Sequence, residues 1–102
     1  MKRVVWSFSA REDLREITTY IAADNPFAAR RVQNRLQQAV LALADRPTGR
    51  VGRVDGTFEK VVQGLPFIIA YQVGHLPGER QEIVITRIIH TARDWTSDEW
   101  PE

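Results

Sequence analysis

His90 carries an imidazole whose unperturbed pKa lies near neutrality, so it can give or take a proton at physiological pH. Glu59, Arg87 and Arg93 could supply the carboxylate and the cations that complete a minimal phosphodiester-cleaving site around it. A structural reading of His90 stands beside this one: it ends the last apolar segment and could hydrogen-bond the adjoining turn and orient the C-terminal tail. Arg46, Arg50 and Arg53 crowd a glycine-containing stretch where they could meet phosphate or simply be solvated. His75, flanked by glycine and proline, is expected in solvent. With no cysteine and only two histidines, no thiolate zinc site is possible and little metal-binding capacity remains, so neither a metal nor a cofactor is expected.

These residues need elements to hold them. Val4, Val5 and Trp6 make a run too short for a helix and rich in strand formers. Ser9 and Glu12 then have the spacing of a capping box, which predicts a helix from Ala10. Ala10, Leu14, Ile17 and Ile21 line one helical face and leave Arg11, Asp13, Arg15 and Glu16 to solvent. Pro26 disfavours a helical Asn25 but suits the first position of a new helix capped by that asparagine. Ala29, Val32, Leu36, Ala39 or Val40, and Leu43 continue the second helix to about Asp45. Pro47, Gly49, Gly52 and Gly56 next break all periodicity, which predicts a surface loop. Residues 58–63, 67–73 and 81–89, rich in Val, Ile, Phe and Tyr and separated by Gly/Pro turns, read as an antiparallel meander.

The resulting order is β-α-α-β-β-β. An α+β domain is the consequence, with an antiparallel helical hairpin packed on one face of a small, mainly antiparallel sheet. Strict alternation along the last strand would place Ile83, Ile85, Arg87 and Ile89 on one face, and Val84, Thr86, Ile88 and His90 on the other. Both faces are then substantially apolar, so the face without helices needs a cover, either a partner or the chain's own C-terminal end.

Length and composition fit one domain spanning residues 1–102. Residues 1–93 hold all 14 basic side chains against 9 acids, while the short tail 94–102 carries Asp94, Asp98, Glu99 and Glu102 together with Trp95 and Trp100. Twelve of the basic residues are arginine, which suits planar recognition of carboxylate or phosphate. Neither a signal-peptide pattern nor an apolar run of roughly 18 residues is visible, so a cytoplasmic protein without membrane contact is expected.

Four passages, in this order and spacing, carry a resemblance: FSAREDLREI (8–17) with YIA (20–22), NPFAARR (25–31), GLPFIIAYQV (64–73) and ITRIIHTARDW (85–95). Over nearly the whole chain they resemble the RelE/ParE toxin superfamily of type II toxin-antitoxin systems, and the HTAR ending at 90–93 is similar to its ParE-type members. The resemblance implies two possible activities. RelE-like members cut messenger RNA on the ribosome, whereas ParE-like members poison DNA gyrase without a known hydrolytic site.

Cleavage of the first kind requires groups that activate the ribose 2′-hydroxyl, protonate the leaving oxygen and neutralise the phosphorane. RelE-like nucleases place an arginine three residues before the tyrosine of the central strand, and here that position is Ile68, with no charge to offer. The ParE-type expectation is therefore a non-enzymatic gyrase poison that touches nucleic acid only through its antitoxin complex. The nuclease alternative would use Glu59, Arg87, His90 and Arg93, and a third possibility is a non-toxic homologue that only binds antitoxin. Target-binding candidates are Arg87, His90, Arg93, Trp95 and Trp100, tryptophan being enriched at interface hot spots. A cognate ParD-like antitoxin is the implied protein partner, and its binding candidates are Leu14, Ile17, Tyr20, Val32, Leu36, Phe67 and Ile69. Leu14, Ile17, Val32 and Leu36 serve equally as core.

Overall fold

The computed structural model describes residues 2–78 and 80–91. The elements are β1 (Arg3–Trp6), α1 (Phe8–Asp24), α2 (Pro26–Asp45), β2 (Arg50–Val51), β3 (Phe58–Val61), β4 (Phe67–Leu76) and β5 (Arg80–His90). They form a five-stranded sheet of order β1-β5-β4-β3-β2, in which β1 runs parallel to β5 and all other neighbours are antiparallel. The expected α+β arrangement is present, with one strand added. β2 lies inside the stretch expected to be loop. Gly49, just before it, has φ +125, and a Cβ there would stand 2.5 Å from the carbonyl oxygen of Glu59, so only glycine lets the chain enter this edge strand.

The first helix begins two residues earlier than the capping-box spacing suggests. Ser7, not Ser9, is the cap: its Oγ accepts the Ala10 N–H at 3.0 Å and donates to the Thr86 carbonyl at 3.0 Å. A cap that also bonds the sheet outcompetes one that satisfies the helix alone, and Glu12 pairs instead with Arg15. Asn25 behaves as its sequence context predicts and does so twice. Its backbone N–H closes α1 on the Ile21 carbonyl, and its Oδ1 accepts the Ala28 N–H at 3.0 Å to open α2, with Pro26 in the first turn where a missing N–H costs nothing.

The helices cover one face of the sheet. Ala10, Leu36, Val40 and Leu43 pack there with Phe67, Ile69 and Tyr71 of β4 and Ile83, Ile85 and Ile88 of β5. Full burial of a leucine such as Leu36 is worth about 1.5–3 kcal/mol over its exposed state.

The last strand does not alternate as expected. A register shift opposite Ala70 and Tyr71 pairs Ala70 with Arg87 but Tyr71 with Ile85, which leaves Thr86 as the extra residue of a bulge. Its Oγ1 donates to the Ala70 carbonyl at 3.1 Å. As a result Ile88 joins Ile83 and Ile85 beneath the helices, while Ile89 clusters with Ile68 and Ala70 apart from them. The bulge coincides with the end of β1, whose last pair is Trp6 with Ile85. Beyond that point α1 closes the edge of β5: Ser7 binds the carbonyls of Ile85 and Thr86, and the Asp13 carboxylate accepts the Ile88 N–H at 2.9 Å. No described helix is long and apolar enough to cross a membrane.

Candidate functional site

Arg87 is locked into the body of the protein. Its Nε and Nη2 meet the two oxygens of Asp13 at 2.6 and 2.9 Å, and the side chains are only 9% and 11% exposed. Such a bidentate pair, with the carboxylate also receiving a backbone N–H, satisfies both charges in a poorly hydrated place. Asp13, expected in solvent, is thus a tertiary anchor. It lies 74 residues from its partner, so nothing in the local helical pattern marks it.

Glu59 is committed in the same way at the other side of the sheet. Its Oε2 accepts the backbone N–H and the Nε of Arg53, both at 2.9 Å, its Oε1 accepts Nη2 of Arg53 at 3.2 Å, and Arg50 stands 3.7 Å away. Burial on its own would raise the Glu59 pKa, but the hydrogen bonds from Arg53 and the charges of Arg53 and Arg50 outweigh it and hold the carboxyl below its ordinary value. Arg50 and Arg53, the loop arginines offered to phosphate, thus serve an internal carboxylate, and Arg46 lies exposed at the end of α2.

The structure does bring two of the nuclease candidates into one row. Glu59 pairs with Ala70, and Ala70 pairs with Arg87. Two strand spacings, about 10 Å, separate their backbones, and the side chains bond in opposite directions, one to the β2–β3 loop and the other to α1. His90 lies three residues beyond Arg87 and opposes Phe67, whose ring it meets edge-on at 5.3 Å between centroids. His75 is exposed but belongs to β4 rather than to the turn.

Tyr71 is the phenol of the central strand, and it too is structural. Its hydroxyl donates to the Thr48 carbonyl, tying down the segment after α2, and burial raises its pKa. Ile68, where the nuclease pattern calls for arginine, is buried. Arg93, Trp95 and Trp100 lie outside the described residues. No group of three or more His, Cys, Asp or Glu that could hold a metal ion occurs among the described residues.

The antitoxin-binding candidates separate into three groups. Leu36, Phe67 and Ile69 are buried in the core, where no partner reaches them without opening the fold. Leu14, Ile17 and Val32 are half-buried at its margin. Tyr20 is 83% exposed near the end of α1, and Phe27, 73% exposed at the start of α2, joins it at the tip of the hairpin although it was not among the candidates. Between the helices runs a cleft lined by Trp6, Arg11, Leu14, Arg15, Thr18, Gln33 and Gln37. An exposed aromatic just after a helix-starting proline was the signal for Phe27.

A helical hairpin on a mixed sheet, with Glu59 and Arg87 bound to partners of their own chain and Tyr20 and Phe27 exposed on the helices, defines a small α+β protein. Residues 4–95 match the family described as ParE toxin of type II toxin-antitoxin system, parDE. The curated protein named "Putative toxin Y4kP", from Sinorhizobium fredii, is 38% identical over 95 residues, covering 92% of this chain and 93% of the relative. A solved structure titled "Chromosomal ParDE TA system from P. aeruginosa" has the same fold, with a TM-score of 0.73 and 24% identity over 88% of this chain and 96% of that one. The chain belongs to the ParE toxin family and is the toxin of a type II toxin-antitoxin system.

Proposed function

We propose that this toxin arrests growth by binding DNA gyrase, without hydrolytic chemistry of its own, and that a partly disordered ParD-like antitoxin silences it in the cytoplasm. The observation that carries this reading is the commitment of Glu59 and Arg87: a nuclease would need both charges turned toward one phosphate, and each is bound to a partner of its own chain. The buried Ile68 supports it. Arg87 then serves to position β5, and target contact falls to His90, Arg93, Trp95 and Trp100. The antitoxin seats on the helical hairpin, with Tyr20 as an anchor and the half-buried Leu14, Ile17 and Val32 along its margin, in the manner of a helix entering a groove. Nucleic acid is reached only through the antitoxin complex.

Induction of the toxin without antitoxin, scoring DNA breaks and translation in parallel, tests the proposal. Breaks with translation initially intact are expected. Early loss of translation with cut transcripts would establish a ribosome-dependent endoribonuclease instead, and unimpaired growth would leave a homologue that only binds antitoxin.

A further inference from the structure

The outward side of α2 carries a stripe that nothing in the fold covers. Phe27, Arg31, Asn34, Gln38 and Leu41 recur at intervals of four, three, four and three residues, which lines them up along one side of the helix. All five are exposed, Phe27 by 73% and Leu41 by 56%. Val32, half-buried against the core, projects from another side of α2, so the stripe is separate from the margin proposed for the antitoxin. The stripe is also symmetric. A large apolar residue stands seven positions to either side of Asn34, and a long polar side chain, Arg31 or Gln38, lies between. No described residue hydrogen-bonds or ion-pairs with the side chain of Arg31, Asn34 or Gln38.

We propose that this stripe pairs with the same stripe of a second copy of the chain, the two α2 helices running antiparallel about a two-fold axis at Asn34. A two-fold contact joins one patch to itself, so the patch must be complementary to its own reverse. This one is. Phe27 packs on Leu41 of the partner copy, and the two Asn34 amides, each both donor and acceptor, can bond reciprocally. Arg31 faces Gln38 of the partner copy, whose amide oxygen accepts a guanidinium N–H. Charge fixes the direction. Arg30, Arg31 and Arg35 all lie in the first half of α2, and no basic residue occurs from Leu36 to Asp45. Antiparallel pairing sets each cationic half against a half without cations, whereas parallel pairing would stack arginine on arginine. A separate acidic helix would suit the arginines but would find only amides and Leu41 beyond them; a second copy satisfies both halves. From Phe27 to Leu41 the stripe runs about 21 Å, so the contact stays below about 1,200 Å² and belongs with weak, reversible interfaces. The pairing is independent of what the toxin's target is.

Sedimentation velocity of the full-length toxin, from low micromolar to several hundred micromolar protein, tests the pairing. A monomer–dimer equilibrium with its midpoint inside that range is expected. Gln38→Arg sets an arginine against Arg31 of the partner copy at two places, and should weaken the dimer several-fold. Arg31→Glu combined with Gln38→Arg turns both places into ion pairs, and should restore the dimer to the parental strength or beyond. Both positions are exposed, so the far-UV spectrum should be that of the parent in each variant. A monomer at every concentration overturns the proposal. So does a dimer indifferent to Gln38→Arg, which would lie on another face. A dimer weakened by Gln38→Arg but not restored by the double variant overturns it as well, since parallel helices would then bring Glu to Glu and Arg to Arg.

Discussion

Two carboxylate-guanidinium pairs flank Ala70 in one row of the sheet, and water reaches them very differently. In the Asp13–Arg87 pair both side chains are nearly enclosed, and a backbone N–H completes the carboxylate's bonding. In the Glu59 pair the carboxylate is 3% exposed, but Arg53 and especially Arg50, at 65%, keep contact with solvent. The enclosed pair joins α1 to the one stretch of β5 that β1 leaves uncovered, so it holds the helical layer on the sheet. The open pair joins a loop to the strand beside it. Identical chemistry therefore secures a tertiary contact in one place and a local one in the other.

The sharpest way to break the comparison is Asp13→Ala, which strands a buried guanidinium and a backbone N–H. A loss of about 3–5 kcal/mol is expected in urea unfolding, against a total of about 5–15 for a domain of this kind. Replacing both partners, Asp13→Leu with Arg87→Met, should recover most of that loss, because the cost lies in the unpaired charge rather than in the missing attraction. A double variant as unstable as Asp13→Ala would show that the pair itself holds α1 in place.

Glu59→Gln should cost less, about 1–2 kcal/mol, since its arginine partners can turn to water. It should also change the acid limb of stability. The folded carboxyl titrates below its ordinary value, so its contribution is complete above about pH 4.3 and disappears as pH falls through the lower folded value. The variant should therefore lose less stability than the parent on acidification, as read from melting temperatures between neutral and acidic pH.

Ser7→Ala sharpens the picture at the β5 edge, removing both the helix cap and the bond to Thr86, at a cost of about 0.5–2 kcal/mol. Ser9→Ala should move the urea midpoint by much less. The reverse ranking would restore the capping box as the true start of α1. Smallest of all is the effect expected of His90→Gln: toxicity on induction should fall only in part, because glutamine keeps a polar side chain for the target contact, and complete loss would reopen a proton-transfer role for the imidazole.

Local signals make much of the fold legible in the sequence alone. The Asn25-Pro26 corner, the end of α2 at Asp45 and the three meander strands follow from periodicity and turn chemistry, which act over a few residues. The cap at Ser7 is hidden there because its hydroxyl bonds neighbours 3 and 79 residues away at once, and only the folded chain brings the second within reach. β2 is hidden because two residues carry no periodicity and gain their bonds from β3. Of the candidate site, Tyr20 is legible as a helix aromatic off the apolar stripe, whereas Leu36, Phe67 and Ile69 look the same as surface apolar residues until packing assigns them to the core.

By itself the sequence determined the α+β class, the helical hairpin and the family, because capping, apolar period and motif order are properties of neighbouring residues. Tertiary structure decided the rest. The bulge at Thr86 reverses the faces of the residues after it, and that reversal puts Ile88 rather than Ile89 beneath the helices and places Arg87 on the face of Ile89, from which it reaches Asp13. A one-residue slip in register is invisible in the pattern of a strand that is apolar on both faces, so where its charges pointed could be settled only by what packs against it.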